Sequence, residues 1–207
     1  MSRTRWGAAE RREALLRATV EQIEVRGAAA VRIADVAGAL GVSAPLVLYH
    51  FATKERLVAA AFAYAAESDL AELRRILGRR APAARRLRAA IRWYAPTGSA
   101  KGWRLWIDGW AAALREPALR EVAAGLDRQW KAALAGVFAE GAEAGEFRCA
   151  DPEGAACRLT ALLDGLAVQM TVYPGAVSRT TMLRWADEAL SRELSPGPVV
   201  GPAPLAP

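Results

Sequence analysis

Six residues between positions 93 and 164 carry the side chains best suited to building a recognition site. They are Trp93, Trp103, Trp106 and Trp110, with the carboxylates Asp108 and Asp164. Indole faces attract cations electrostatically, and a carboxylate among them supplies a formal counter-charge. The pattern suits a cavity for a small cationic or aromatic ligand. Ordinary packing of large side chains is the alternative, and the spacing leaves it open. Trp103, Trp106, Trp110 and Leu114 recur at i, i+3, i+7 and i+11, one continuous stripe of a helix. Asp164 interrupts an apolar stretch, where an acid costs free energy unless it is paired or solvated.

Other chemistry is poorly provided for. The 207-residue chain has one histidine, His50, and two cysteines, Cys149 and Cys157. These cannot make an ordinary Cys/His zinc site, so no metal is expected and the cysteines read as buried or free thiols in a reducing cytosol. A Ser-His-Asp or Cys-His centre would have to use that single histidine. No glycine loop of the P-loop or dinucleotide type is present, and no cofactor is expected. Acid-base work by Asp108 and Asp164 is the remaining catalytic option and a weak one, so the chain does not read as an enzyme. No apolar run approaches the roughly 18 residues of a membrane span. The N-terminus is charged from Arg3 onward and lacks a signal-peptide core. The expectation is a cytoplasmic protein with no membrane partner. A net charge of +6 fits a nucleic-acid partner without proving one.

The most specific spacing lies in residues 31 to 57, VRIADVAGALGVSAPLVLYHFATKERL. A short apolar-periodic helix from about Arg32 to Leu40 is broken by Gly41. Ser43 stands where an N-cap belongs, and a second short helix runs through Phe51. Two helices crossing steeply through a tight turn need a small residue for close approach, a glycine for positive φ and an apolar wedge. Ala37, Gly41 and Val47 supply them in that order. This is the helix-turn-helix unit, whose second helix enters the DNA major groove. That helix presents Ala44, Pro45, Leu46, Leu48, Tyr49 and His50 on or near its outward side. Arg32, at the start of the preceding helix, is placed to reach a phosphate or a guanine.

Gly41-Val42-Ser43, Tyr49-His50-Phe51 and Thr53-Lys54-Glu55-Arg56-Leu57, in this order and spacing, closely resemble the N-terminal domain of the TetR family of transcriptional regulators. The resemblance implies that Ser43 to His50 meet an operator and that Lys54 meets a phosphate at the start of the next helix. Leu48 stands where the family often has tyrosine, and Arg32 where it often has Thr or Ser. Ala44 and Leu46 offer no donors to base edges, so readout leans on thymine-methyl contacts, Tyr49, His50 and DNA shape. The runs WRLWIDGW, REPALR, AGEFRCADPEGAA and LLDGLA resemble the C-terminal domain of the BetI-like branch, which hints at a small polar or cationic effector. In that family the last two helices build a four-helix interface with a symmetry mate. Leu159, Leu162 and Leu166 are the candidates here, with internal packing as the alternative.

The elements that must position these groups are all helical. Alanine is abundant, β-branched residues are scarce and apolar residues recur at helical spacing, predicting an all-α fold of about nine helices. Residues 1–7 read as a flexible arm whose Arg3 and Arg5 could enter a minor groove. Residues 8–55 form the DNA-binding domain, 56–194 a larger ligand-binding and dimerisation domain, and 195–207 a disordered Pro/Gly tail. Pro82 is expected at N1 of a fifth helix, and Asp151 and Ser178 at the caps of the eighth and ninth. Ten Lys or Arg and no acid lie between Leu73 and Ile107, a solvated face or a surface for phosphates. The expected function is a homodimeric repressor that leaves a palindromic operator when an unidentified small molecule binds. An activator, a ligand-independent regulator and a helical small-molecule-binding protein are the alternatives.

Overall fold

The computed structural model describes residues 7–97 and 101–194. Residues 1–6 of the expected N-terminal arm and the 195–207 tail lie outside the described residues, and Gly7, the arm's last residue, is the N-cap of α1. Among those described, nine α-helices occur and no strand: α1 (Ala8–Arg26), α2 (Ile33–Leu40), α3 (Ala44–Phe51), α4 (Lys54–Leu77), α5 (Ala83–Tyr94), α6 (Lys101–Ala113), α7 (Pro117–Glu143), α8 (Pro152–Val172) and α9 (Arg179–Glu193). A 3-10 turn at Ala28–Ala30 joins α1 to the segment before α2. The helices fall into two compact units, one within 1–71 and 98–128, the other within 72–97 and 129–207.

In the first unit the apolar face of α1 meets the helix pair that follows. Leu15, Leu16 and Ile23 share one core with Val36 and Ala37 of α2, Val47 and Phe51 of α3, and Leu57 and Phe62 of α4. Burying each large apolar side chain contributes about 1.5–3 kcal/mol, so this core rather than helix propensity holds the short helices α2 and α3. Arg12 of α1 lies over the Phe51 ring at 5.1 Å, tying the end of α3 to α1. Gly27 ends α1 at φ 80°, a conformation that a β-carbon disfavours.

The turn from α3 to α4 is tight. Ala52 has φ 62° and ψ −47°, and the Thr53 amide donates to the Phe51 carbonyl at 2.7 Å, which closes a three-residue γ-turn. For a residue with a β-carbon this conformation costs about 1–3 kcal/mol. Ala52→Gly relieves it at the expense of about 0.4–1 kcal/mol of unfolded-state entropy. We expect a net gain of about 1 kcal/mol, read as a higher thermal midpoint. A midpoint that stays or falls would show the turn to be unstrained.

In the second unit α8 and α9 pack as a pair, and α5 lies against α9. Leu87 and Ile91 of α5, Phe138 of α7, Leu159, Leu163 and Leu166 of α8, and Met182 and Leu190 of α9 are buried. The caps are as expected: Asp151 accepts from the Gly154 amide at 2.9 Å, and Ser178 from the Thr181 amide at 3.0 Å. Part of the basic segment is engaged inside this unit. Arg74 donates to Gln129 at 3.1 Å, Arg86 pairs with Glu140 at 2.7 Å and Arg88 with Asp187 at 2.6 Å.

Some local expectations need correction. Ser43 holds the N-cap position of α3 with extended dihedrals, but its side chain makes no capping bond. Pro82 is the N-cap residue of α5, not N1. Leu114 is 73% exposed because α6 ends at Ala113, so the tryptophan stripe stops at Trp110. Cys157 is exposed and Cys149 half-buried. Helix α8 is apolar and long enough to pass for a membrane span by length and composition. Its apolar side chains are accounted for as core, since Ala155, Leu159, Leu163 and Ala167 are buried in the second unit.

Candidate nucleic-acid interface and ligand clusters

The helix pair α2 and α3 bends by 112°, the steep crossing expected for a helix-turn-helix. The turn follows from the residues within it. Gly41 is in the left-handed region at φ 63° and ψ 31°, and the Val42 amide closes the α2 end on the Ala37 carbonyl at 3.0 Å. Ala37 and Val47 are buried at 4% and 0%, the small contact and the wedge. With Val47 and Phe51 turned inward, the opposite side of α3 faces outward. Tyr49 is 83% and Leu48 42% exposed, Pro45 is exposed, and Ala44, Leu46 and His50 are half-buried. The Tyr49 and His50 rings meet edge-on with centroids 5.4 Å apart, which orients both on this surface.

Arg32 is exposed at the N-cap position of α2. Lys54 opens α4, and its Nζ donates to the Ala29 carbonyl at 2.7 Å. An ammonium has three donors, so this bond leaves two for a phosphate while fixing where the charge stands. Thr53 caps α4 by accepting from the Arg56 amide at 3.2 Å.

The six residues expected to form one ligand site fall into three settings. Trp103, Trp106 and Trp110 are together on α6 in the first unit, with Trp106 5.9 Å from Trp110 and Trp103 6.2 Å from Trp110 between ring centroids. Trp93 and Asp164 belong to the second unit. There Trp93 stacks on Trp130 at 5.9 Å, Tyr94 tilts against Trp130 at 5.2 Å, and the Tyr94 hydroxyl donates to Asp164. Asp108 leaves the tryptophan stripe altogether. A β-carbon built at Gly27 would lie 3.5 Å from its Oδ2, so it reaches the end of α1, and burial raises its carboxyl above the usual range.

Asp69 was missed. It receives the Trp106 Nε1–H at 3.1 Å, and Trp106 meets Phe62 edge-on at 5.0 Å. The signal was present, since Phe62, Ala66, Asp69 and Leu73 share one α4 face and an acid on an apolar face needs a partner. Burial raises the Asp69 carboxyl, and the Trp106 bond opposes the shift without overcoming it. A carboxyl raised in the folded state stabilises fully below the unfolded value of about 3.9 and loses that contribution as pH rises through the folded value. Asp69→Asn keeps an acceptor for Trp106 without the charge. Its stability is expected to exceed that of the parent above the raised folded value and to lack the decline over that window. Urea midpoints against pH check this, and parallel curves for the two proteins would refute it.

On α8, Leu159 and Leu166 are buried inside the second unit and Leu162 is half-buried. The outward positions are Cys157, Ala161, Gly165 and Gln169, four residues apart, and on α9 Trp185 is 39% exposed.

Comparison with known proteins meets this geometry. The family profile of bacterial regulatory proteins of the tetR family matches residues 15–61, and that of the BetI-type transcriptional repressor C-terminal domain matches 83–195. No curated protein matches the chain significantly. A candidate TetR-family transcriptional regulator from Rhodococcus sp. superposes with a TM-score of 0.78 at 28% identity, covering 90% of this chain and 100% of its own. A candidate transcriptional regulator from Saccharomonospora viridis, solved in complex with choline, gives 0.80 at 26% identity, covering 90% and 98%. One from Pseudomonas aeruginosa gives 0.77 at 25% identity, covering 91% and 92%. The steep helix pair with Val47 inside and Tyr49 outside is thus the head of a known type of DNA-binding protein, and the chain belongs to the TetR family of bacterial transcriptional regulators, with a BetI-type C-terminal domain.

Proposed function

We propose that the protein is a homodimeric repressor, released from a palindromic operator when a small organic cation binds its C-terminal part. The single observation that carries the effector reading is the second-unit cluster in which Trp93, Tyr94 and Trp130 lie against one another and Tyr94 bonds Asp164. Aromatic faces with a nearby carboxylate recognise ammonium groups, and a relative of this chain holds choline. The three tryptophans of α6 with Asp69 offer similar chemistry in the first unit.

Dimerisation follows from the task, because one eight-residue helix reads only a few base pairs. The exposed stripe Cys157, Ala161, Gly165 and Gln169 on α8, together with the exposed Trp185 on α9, supports a close two-fold packing of small residues. Leu159 and Leu166 then hold the helices in place from inside. Two α3 helices enter successive major grooves only when separated by about 34–36 Å, one helical turn. The affinity lost for DNA is bounded by the effector's differential binding to the two arrangements.

The test is selection of bound duplexes from a random pool, then anisotropy of the selected site titrated with choline and other quaternary ammonium compounds. A palindrome with half-sites one turn apart, released by a cation in the parent but not in Asp164→Asn, is the expected result. Binding with no palindrome would sink the dimer, and release that persists in Asp164→Asn would sink the effector cluster.

A further inference from the structure

The first unit contains a cleft of about 390 Å³, separate from either aromatic cluster. That volume lies in the range of small-molecule sites. One wall is the 3-10 turn Ala28–Ala30, another the start of α4 with Lys54 and Val58, and the third the outer face of α6 running into α7. On α6 the facing residues are Asp108, Ala111 and Ala112, at i, i+3 and i+4, and Arg115 lines the cleft from the turn just beyond the helix, so this stretch supplies an acid, a small apolar floor and a base.

Three basic and three acidic side chains line the cleft, and most are already engaged. Arg26 pairs with Asp35 at 3.4 Å, Lys54 bonds the Ala29 carbonyl at 2.7 Å, and Glu55 accepts bonds from Thr53 and its own backbone. Glu116 immediately precedes α7, where the helix dipole favours its charge. Asp108 and Arg115 are different: neither side chain has a hydrogen bond or ion pair with a described residue. They stand seven residues apart, with Arg115 beyond the C-terminal end of α6, and they do not pair with each other.

A lone cation at Asp108 would face Arg26, Lys54 and Arg115, and a lone anion at Arg115 would face Asp108, Glu55 and Glu116. A ligand with one charge of each sign at its two ends meets both. We propose that this cleft binds a small linear zwitterion of the ω-amino-acid class. Its ammonium donates to Asp108, its methylene chain lies on Ala111 and Ala112 opposite the alanines of the 3-10 turn, and its carboxylate accepts from Arg115.

The experiment is calorimetric titration of the full chain with glycine, γ-aminobutyrate and ε-aminocaproate, with butylamine and butyrate as single-charge controls. The expected result is a one-site isotherm, tightest for one of the longer zwitterions, with Kd no weaker than about 1 mM. Asp108→Asn, Arg115→Gln and Ala111→Trp should each weaken it at least tenfold, the last by filling the cleft without changing charge. Thermal melts identify any variant that fails to fold, and the others then carry the comparison. No saturable heat with any zwitterion, equal binding of a single-charge control, or full binding in folded Asp108→Asn and Ala111→Trp would overturn the proposal.

Discussion

Val47→Asp is expected to abolish operator binding by dismantling the head rather than by removing a DNA contact. Val47 is 0% exposed, at the crossing of α2 and α3 and in one core with Leu15, Val36 and Leu57. A carboxylate there replaces apolar burial among apolar neighbours, and an uncompensated buried charge costs about 3–5 kcal/mol. A domain has about 5–15 kcal/mol in total, so the first unit would be partly unfolded at ordinary temperature. Tyr49→Ala is the contrasting variant. With Tyr49 83% exposed, its loss should leave stability within about 0.5 kcal/mol while operator affinity falls. Denaturation midpoints and operator anisotropy on both proteins check the pair. If Val47→Asp melts with the parent, the wedge role is wrong; if Tyr49→Ala binds with parental affinity, α3 does not read DNA through its outward face.

Phe62→Ala is expected to cost about 3–5 kcal/mol, and Gly109→Ala about 1–3 kcal/mol, yet the double variant should cost less than their sum. Phe62 is 1% exposed and edge-on to Trp106. A β-carbon at Gly109 would lie 2.3 Å from Phe62 Cε2, a distance that packed atoms do not tolerate. Gly109 is therefore required by the ring that fills its missing side chain, and α6 approaches α4 this closely for that reason. Removing the ring leaves a void that the methyl group added by Gly109→Ala partly fills, so the two losses should offset by about 1 kcal/mol or more. Urea denaturation of the four proteins gives the coupling, and strict additivity would mean the backbone yields instead of the ring. Tryptophan emission should change in both single variants, because Trp106 is held between Phe62 and Asp69.

How much of this was legible beforehand follows the range of the interactions involved. The head was readable because a helix-turn-helix is specified by neighbours in sequence. A small Ala37, a Gly41 able to take φ 63° and an inward Val47 lie within eleven residues, and they fold into a pair bent by 112°. The caps at Asp151 and Ser178 are equally local, bonds of three residues' span. Ala52 shows where local reading stops: nothing in its residue type announces a positive φ, which the packing of Phe51 and the start of α4 impose.

The ligand residues were identified by type but not by grouping. Asp108 lies two residues from both Trp106 and Trp110, about 200° around a helix, so the sequence by itself already set it on another face from the stripe. Which element each face meets was decided only by tertiary structure. Asp69 finds Trp106 across 37 positions, Trp93 finds Trp130, and Tyr94 finds Asp164 across 70. Such partners come together because burial of apolar surface is non-directional and is settled by the whole core at once. Periodicity says that a face is buried, and only the packed fold says against what.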